Sequence, residues 1–154
     1  MTQSELPYST TLEVRDRCLC LHAQRAARAL ARRFDDALRP FGITSGQFSM
    51  LMAMNRPNPP RIADLAPFLT MDRTTLTAAL KPLQRRGLVT VKADEADARA
   101  KRLTLTNAGL ALLAEAVPVW RATHDQVDAD LASDEPQRLR DELLALTKGE
   151  PAGS

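Results

Sequence analysis

The chain is poor in the residue types that most often carry chemistry. Among its 154 residues are two cysteines, two histidines, one tryptophan and six glycines. Two cysteines cannot build a disulfide framework, and two histidines leave too few side chains for a metal cluster or a familiar catalytic constellation. We therefore predict no enzyme activity, no metal site and no cofactor.

Long hydrophobic runs and targeting signals are also missing. No apolar stretch approaches the roughly 20 residues that a membrane-spanning helix needs. The polar start of the chain, which includes Glu5, lacks the basic and apolar regions of a secretory signal. We predict a single cytoplasmic chain, residues 1–154, without membrane contact. Its ends, residues 1–10 and 149–154, are predicted to be flexible.

The net charge is only +2, but the charges are unevenly distributed. Residues 61–102 contain nine Lys and Arg against five Asp and Glu, whereas residues 103–154 contain four against nine. A nucleic-acid-binding protein usually concentrates its positive charge in one patch. The middle of the chain is therefore the candidate binding region.

Two short helices with a tight connection are predicted in that region. Ile62–Leu69 forms the first helix and residues 72–86 the second, with Asp72 placed to cap it and Gly87 to end it. The face of the second helix opposite its leucine stripe has no acid and carries Arg73, Thr74, Thr77, Ala78, Lys81 and Arg85, with Thr75 near its edge. Short hydroxyls, methyls and cations are the groups that read base edges in the major groove. The plainer interpretation is a solvated basic helix face.

Two prolines lie inside these predicted helices. Pro67 and Pro82 each remove an N–H donor, which costs on the order of 3 kcal/mol unless the helix bends or ends. We therefore predict a kink between Ala78 and Pro82.

A charged hairpin follows the second helix. Leu88–Val91 and Arg102–Thr106 show the alternation typical of strands. The connection between them, residues 92–101, is too long and too charged for a tight turn, so it is predicted to project into solvent. It is either an ordinary surface loop or, directly after a helix-turn-helix, a loop that brings Arg99 to the adjacent minor groove.

Apolar stripes on the flanking helices predict a second contact surface. Residues 11–38 form one predicted helix, and residues 107–147 form the C-terminal helices. Between them, residues 44–106 form the predicted lobe, which begins with a capping box from Thr44 to Gln47. The flanking stripes exceed what a compact lobe can cover, so the flanking helices are predicted to form a dimer interface.

These residues resemble the MarR family of bacterial transcriptional regulators. The resemblance covers about Arg17 to Leu146 and rests most specifically on residues 71–89, on Asp97-Ala-Arg99 and on the Leu-Thr-x-x-Gly motif that ends at Gly109. It implies a mainly α fold with a small β-hairpin wing: a winged helix-turn-helix lobe plus N- and C-terminal dimerisation helices. It also implies a homodimer on a pseudo-palindromic operator in double-stranded DNA. Such regulators are usually repressors, released by a small, often aromatic ligand or by an oxidant.

The resemblance also implies residue roles. Arg99 enters the minor groove, and Asp97 holds its guanidinium through a bidentate ion pair. The predicted DNA contacts are Arg73, Thr74, Thr75, Thr77, Lys81, Asp97, Arg99 and Lys101. The small-molecule effector is predicted to occupy a pocket lined by some of His22, Phe34, Phe41, Phe48, Met52 and Trp120.

Two other functions remain open at this point. Cys18 and Cys20 are the candidates for a thiol-based redox sensor, and Cys18 lies one helical turn from His22. Positions two apart on a helix point to nearly opposite sides, which disfavours an intrachain disulfide and leaves an intersubunit one open. The plain interpretation is that both cysteines pack as small apolar residues. The remote alternative is a winged helix used only for protein contacts, without DNA binding.

Overall fold

A computed structural model describes residues 6–148 of the chain. In chain order the elements are α1 (Tyr8–Arg17), α2 (Leu19–Leu38), a 3-10 turn (Arg39–Phe41), α3 (Ser45–Met54), α4 (Ile62–Phe68), α5 (Arg73–Arg85), β1 (Val89–Ala93), β2 (Lys101–Leu105), α6 (Asn107–Asp130) and α7 (Pro136–Thr147). This mainly helical architecture with one hairpin confirms the predicted fold class. Of the predicted flexible ends, residues 1–5 and 149–154 lie outside the described residues, whereas residues 8–10 already belong to α1.

The prediction of one continuous helix over residues 11–38 is wrong, because the helix is interrupted at Cys18. This residue has an extended backbone, with φ −69° and ψ 101°, and it separates α1 from α2. The Cys18 sulfur accepts the N–H of Leu21 at 3.4 Å, so the thiol caps the first turn of α2. Neither glycine nor proline marks the interruption in the sequence.

The predicted capping box at the start of α3 is confirmed. The Thr44 hydroxyl accepts the N–H of Gln47 at 3.2 Å, and the Gln47 side-chain oxygen accepts the N–H of Thr44 at 3.0 Å. The helix then buries the side chains of Phe48, Met50, Leu51, Ala53 and Met54. Helix α3 therefore packs in the core, where it contacts α2 and α6.

Helices α4 and α5 form the predicted helix-turn-helix. The turn between them places Thr70 at φ 53°, a left-handed conformation that is uncommon for a residue with a branched side chain. The N–H of Met71 closes the turn by donating to the carbonyl of Ala66 at 2.9 Å. Asp72 then caps α5, because its carboxylate accepts the N–H of Thr75 at 2.8 Å.

The two prolines affect these helices differently. Pro67 lies one residue before the end of α4, so the hydrogen bond that its missing N–H would make is lost only in the last turn of the helix. Pro82 lies inside α5, and the helix continues through it to Arg85. Gly87, at φ 71°, ends the segment with the left-handed conformation that glycine adopts easily.

Strands β1 and β2 form the predicted antiparallel hairpin. Their register pairs Val89 with Leu105 and Ala93 with Lys101, so both strands are displaced by one or two residues from their predicted bounds. The connection, residues 94–100, is called the wing loop below. The N–H of Leu103 in β2 also donates to the carbonyl of Pro60 at 2.9 Å, which fastens the hairpin to the segment before α4.

One hydrophobic core joins the lobe to the flanking helices. Its fully buried large side chains are all leucines: Leu38, Leu51, Leu65, Leu76, Leu80, Leu83 and Leu103. They come from α2, α3, α4, α5 and β2, so the helix-turn-helix and the hairpin share one core with α2. The position of the helix-turn-helix and of the hairpin is therefore tied mechanically to α2.

Several large apolar side chains on the flanking helices are exposed in the single chain. They are Leu19, Leu30, Leu110, Leu139, Leu143 and Leu146, each at least 40% exposed. Helix α7 buries none of its side chains at all. An amphipathic helix with an uncovered apolar face needs a partner surface. Within residues 6–148, no helix is long and apolar enough to cross a membrane.

The first turn of α6 lies directly against the start of β1, and Gly109 makes this approach possible. A Cβ atom at Gly109 would lie 2.3 Å from the carbonyl oxygen of Leu88. Gly109→Ala is therefore expected to force backbone movement and to lower the free energy of unfolding by about 2 to 3 kcal/mol. Thermal unfolding followed by circular dichroism, at one protein concentration, should show a midpoint lower by roughly 5 to 10 °C.

Gly46→Ala is the matched control for that substitution. Gly46 lies in α3, and the nearest atom to an added Cβ is the Thr44 hydroxyl oxygen at 3.9 Å. Alanine is favoured over glycine in a helix, so this variant should be as stable as the wild type or slightly more stable. Equal midpoints for Gly109→Ala and the wild type would show that the α6–β1 contact does not constrain the fold.

Candidate nucleic-acid interface

The exposed side of α5 forms one continuous basic surface. Arg73, Thr74, Thr77, Ala78 and Lys81 line an open groove of about 320 Å³. We call these five residues the reading face. All five are exposed, and the sequence from Arg73 to Arg86 contains four cations and no acid. The structure therefore brings together four of the predicted DNA contacts on a single helix face.

The threonine hydroxyls of α5 differ in the hydrogen bonds that they make within the protein. The Thr75 hydroxyl donates to the Asp72 carboxylate at 2.7 Å, so Thr75 belongs to the helix cap rather than to the reading face. The Thr77 hydroxyl donates to the backbone carbonyl of Arg73 at 2.8 Å, and its methyl group and oxygen lone pairs remain available. Thr74 also lines the groove.

A fixed negative charge lies at the start of α5. Hydrogen bonds from the Thr75 hydroxyl, and after it from the Thr75 N–H, hold the pKa of the Asp72 carboxyl below its usual range. The ionised carboxylate complements the helix dipole. The N-terminus of α5 is therefore already neutralised by the protein, and the cations of the reading face are the groups left for an anion.

The wing loop carries the remaining predicted DNA contacts, and Asp97, Arg99 and Lys101 are all exposed. The predicted ion pair between Asp97 and Arg99 is wrong for this structure. The Asp97 carboxylate instead accepts the backbone N–H of Arg99 at 3.0 Å, a turn in which the short side chain reaches only the amide two residues on. Among the described residues, the Arg99 guanidinium has no hydrogen-bond or ion-pair partner.

A second candidate site lies between α2, α3 and α6. Phe34, Phe48 and Trp120 come together there with His124: the ring centroids are 5.8 Å apart for Phe48 and Trp120, 4.6 Å for Phe34 and His124, and 4.5 Å for Trp120 and His124. These rings, with Leu38, Ser45 and Ser49, line a cavity of about 130 Å³ that we call the aromatic chamber. The chamber is slightly smaller than the roughly 150 Å³ cavity that holds one benzene ring, so a single ring is the largest ligand that it suits.

The structure does not place every predicted pocket residue at this chamber. His22 lies twelve residues before Phe34 on α2, about 18 Å along the helix, and Met52 is 38% exposed outside the lining. His124 and the two serines are lining residues that we did not predict. The available signal was the one-turn spacing between Trp120 and His124 on α6. Burial, and after it the charge of Arg140, lower the pKa of His124, so its imidazole is neutral at physiological pH.

Both cysteines are free thiols near the interruption between α1 and α2. Cys18 is half-buried and Cys20 is exposed, with its sulfur accepting the side-chain N–H of Gln24 at 3.4 Å. Cys18 and His22 are in contact, but the contact joins His22 Nδ1 to the Cys18 carbonyl oxygen at 2.7 Å rather than to the thiol. The two cysteines do not lie on one continuous helix, because Cys18 has an extended backbone and precedes α2. The argument that residues two apart on a helix point to opposite sides therefore disfavours an intrachain disulfide less than predicted.

Comparison with known proteins identifies the family. The solved structure of the M. tuberculosis transcriptional regulator MosR in complex with DNA is 39% identical to this chain, with a TM-score of 0.78, and the alignment covers 86% of this chain and 95% of that one. Residues 43–101 match the model of the MarR family. The chain belongs to the MarR family. It is therefore a transcriptional regulator with a winged-helix fold, as the sequence resemblance implied.

Two curated relatives support this assignment at lower identity. The transcriptional regulator SarZ of Staphylococcus haemolyticus is 28% identical over 127 residues, which are 81% of this MarR-family chain and 84% of SarZ. The organic hydroperoxide resistance transcriptional regulator of Bacillus subtilis is 28% identical over 101 residues, which are 66% of this chain and 69% of that protein.

Proposed function

We propose that this protein is a homodimeric repressor that binds a pseudo-palindromic operator in double-stranded DNA. The observation that carries the proposal is the acid-free reading face of α5, which lies in the same lobe as a wing whose Arg99 guanidinium has no partner among residues 6–148. The solved MosR complex with DNA supports the same use of the fold. Two lobes held by the flanking helices would read half-sites about 34 to 36 Å apart, one turn of the duplex.

The proposed contacts divide by chemistry. Thr74 and Thr77 approach base edges in the major groove, while Arg73 and Lys81 bind phosphates or guanine. Arg99 enters the adjacent minor groove, where its charge is attracted to the narrow, electronegative floor of A·T-rich sequence. Lys101, at the start of β2, lies beside the wing loop and binds the DNA backbone. Asp97 shapes the wing loop, and Thr75 supports the α5 cap rather than touching DNA.

A gel shift with the DNA upstream of the protein's own gene tests this proposal. At moderate salt and with excess non-specific competitor, the wild-type protein is expected to give a discrete complex. Several phosphate contacts in each lobe release as many counterions, so the affinity should fall by about 10³ to 10⁵ between 50 and 200 mM salt. A winged helix used only for protein contacts would give no complex at any of these concentrations.

We propose that the aromatic chamber holds the small molecule that releases the operator. The chamber combines three aromatic walls with two serine hydroxyls and a neutral imidazole, the mixture of apolar surface and a few polar groups that small-ligand sites use. Arg86, just after α5, donates to the carbonyls of Gly42 at 2.5 Å and Phe41 at 3.2 Å. These carbonyls belong to the turn between the chamber residues Leu38 and Ser45. Movement of the chamber wall would therefore be transmitted through Arg86 to α5.

Trp120 supplies a direct test, because it is the only tryptophan in the chain and lines the chamber. Titration with phenol and with benzoate should change its fluorescence saturably for at least one of the two probes and weaken operator binding over the same concentration range. Ser49→Leu, which fills the chamber, should remove both responses while operator affinity without ligand stays unchanged. Release of DNA that persists in Ser49→Leu would place the effector elsewhere.

Thiol oxidation is the second candidate signal, and the position of Cys18 at the helix interruption favours it. A hydroperoxide would oxidise one thiolate to a sulfenic acid, with release of the alcohol, and a second thiol would displace water to form a disulfide. That second thiol is either the other cysteine of the same chain or one from a second copy. The relationship to the organic hydroperoxide resistance regulator supports the same chemistry.

The test compares operator binding before and after treatment with cumene hydroperoxide. Oxidation is expected to reduce binding and to be reversed by dithiothreitol, and the double variant Cys18→Ser/Cys20→Ser is expected to bind DNA before and after treatment. Mass spectrometry of non-reduced peptides distinguishes an intrachain from an intersubunit disulfide. Unchanged DNA binding by a fully oxidised wild-type protein would exclude the thiols as the signal.

A further inference from the structure

The base of the wing loop is closed by an ion pair between the first residue of the loop, Asp94, and Arg102 on β2. Arg102 on β2 donates from Nε to Asp94 Oδ2 at 3.0 Å, and its Nη2 lies 2.9 Å from the same oxygen. The other oxygen of Asp94 accepts the N–H of Ala96 at 3.0 Å, and the N–H of Asp94 donates to the Ala100 carbonyl at 2.9 Å. Asp94 therefore holds both the start of the wing loop and the guanidinium of Arg102.

Arg102 also connects the wing to the rest of the lobe. Its Nη1 donates to the carbonyl of Pro59 at 2.8 Å, next to the hydrogen bond from the Leu103 N–H to the Pro60 carbonyl. Pro59 precedes α4, so one side chain fastens the wing loop to the segment that leads into the helix-turn-helix. Without this side chain, the hairpin would keep its strand pairing and the Leu103–Pro60 hydrogen bond, but the wing loop would lose its connection to Pro59.

This ion pair differs from the others on the surface of the protein. The Arg102 and Asp94 side chains are 36% and 13% exposed, whereas those of Arg138 and Glu142 are 73% and 63% exposed. Well-exposed pairs contribute little to stability or geometry. Hydrogen bonding by the Ala96 N–H, and after it by Arg102, keeps the pKa of Asp94 below its usual range, so the pair stays charged at physiological pH.

We propose that Arg102 is a positioning residue for DNA recognition: it holds the wing at the angle that presents Arg99 to the minor groove, and it does not bind DNA itself. The inference rests on the proposed operator binding. The fork of Arg102 is occupied by Asp94 and Pro59, and its charge is neutralised within the protein. Arg99, by contrast, uses none of its side-chain donors within the described residues.

The direction in which one substitution changes the DNA affinity distinguishes this role from a direct DNA contact. Asp94→Asn removes a negative charge close to the wing and releases Arg102 from its partner. If Arg102 bound a phosphate, or if only the charge mattered, this variant would bind DNA more tightly. If Arg102 positions the wing, it should bind about 3- to 10-fold more weakly despite its higher positive charge, a loss within the range of single-site coupling.

The experiment measures binding of the full-length wild type, Asp94→Asn, Arg102→Ala, Arg99→Ala and the double variants by fluorescence anisotropy on the duplex that the wild type binds. Arg102→Ala is expected to weaken binding about 5- to 20-fold in the wild-type background and less than about 2-fold in the Arg99→Ala background, because its effect acts through Arg99. Thermal unfolding and size-exclusion chromatography check the fold of each variant. Should Arg102→Ala unfold, Asp94→Asn, which retains the side-chain shape, carries the test.

Two results would overturn the inference. Tighter binding by Asp94→Asn, or equal losses from Arg102→Ala with and without Arg99, would make Arg102 an independent DNA contact. Failure of the wild type to bind any duplex is a different outcome, because it removes the proposed function itself.

Discussion

Replacing Leu139 and Leu143 with aspartate is expected to convert the protein to a monomer and to remove most of its operator affinity. The two leucines are 40% and 47% exposed on α7, a helix that buries none of its side chains in the single chain. Covering a leucine contributes about 1.5 to 3 kcal/mol, and the aspartates would place four like charges in the proposed interface. A lone lobe also loses the second half-site, which should reduce affinity by about 10² to 10⁴.

Sedimentation equilibrium and anisotropy titrations on the same preparations measure both effects. The charge-matched control is Gln137→Asp with Lys148→Gln, which makes the same change of charge in α7 and at the residue that follows it, on the opposite side of the helix. This control should remain dimeric and bind DNA. A dimeric Leu139→Asp/Leu143→Asp variant with wild-type affinity would show that α7 does not form the interface.

Arg99→Ala is expected to reduce operator affinity about 5- to 150-fold per site, with two sites in each dimer, because a specific arginine contact contributes about 1 to 3 kcal/mol. The wing is already ordered by the hydrogen bond from the Arg99 backbone N–H to the Asp97 carboxylate and by the pairing of β1 with β2. The substitution should therefore remove the DNA contact without unfolding the loop. The loss should be greatest on sites whose flanks are A·T-rich, where the minor groove is narrow.

Arg17→Ala removes the same charge from α1 and is the control for Arg99→Ala. Its guanidinium is 78% exposed and paired with Glu13, far along the chain from the lobe. Anisotropy at one fixed salt concentration should show near wild-type binding for this control. Equal affinities for the two variants would mean that the wing does not enter the minor groove.

The parts of the fold that depend on neighbouring residues could be predicted from the sequence. The capping box from Thr44 to Gln47 and the cap of α5 by Asp72 are formed by groups three residues apart, so their residue types carry the information. The interruption at Cys18 could not be predicted in the same way. A thiol is a weak acceptor and is not a usual helix cap, and nothing in the local composition opposes a continuous helix there.

The sites depend on contacts between distant segments, which the sequence alone does not specify. Phe34, Phe48 and Trp120 could be chosen as pocket residues by type, but their meeting with His124 depends on how α2, α3 and α6 pack. One of the two partners of Arg102 is a backbone carbonyl 43 residues away, and any residue supplies a carbonyl. Asp97 was assigned to the Arg99 guanidinium through the family resemblance, whereas the local turn geometry directs its carboxylate to the amide.

A hydroxyl-radical footprint on the DNA upstream of the protein's own gene tests operator recognition by a pair of winged lobes most directly. The expected result is two related half-sites centred about 10 to 10.5 base pairs apart on one face of the duplex, with additional minor-groove protection on each outer flank that Arg99→Ala removes. Uniform protection without half-sites, or a single protected site bound by a monomer, would contradict recognition of a pseudo-palindrome by paired reading faces and wings.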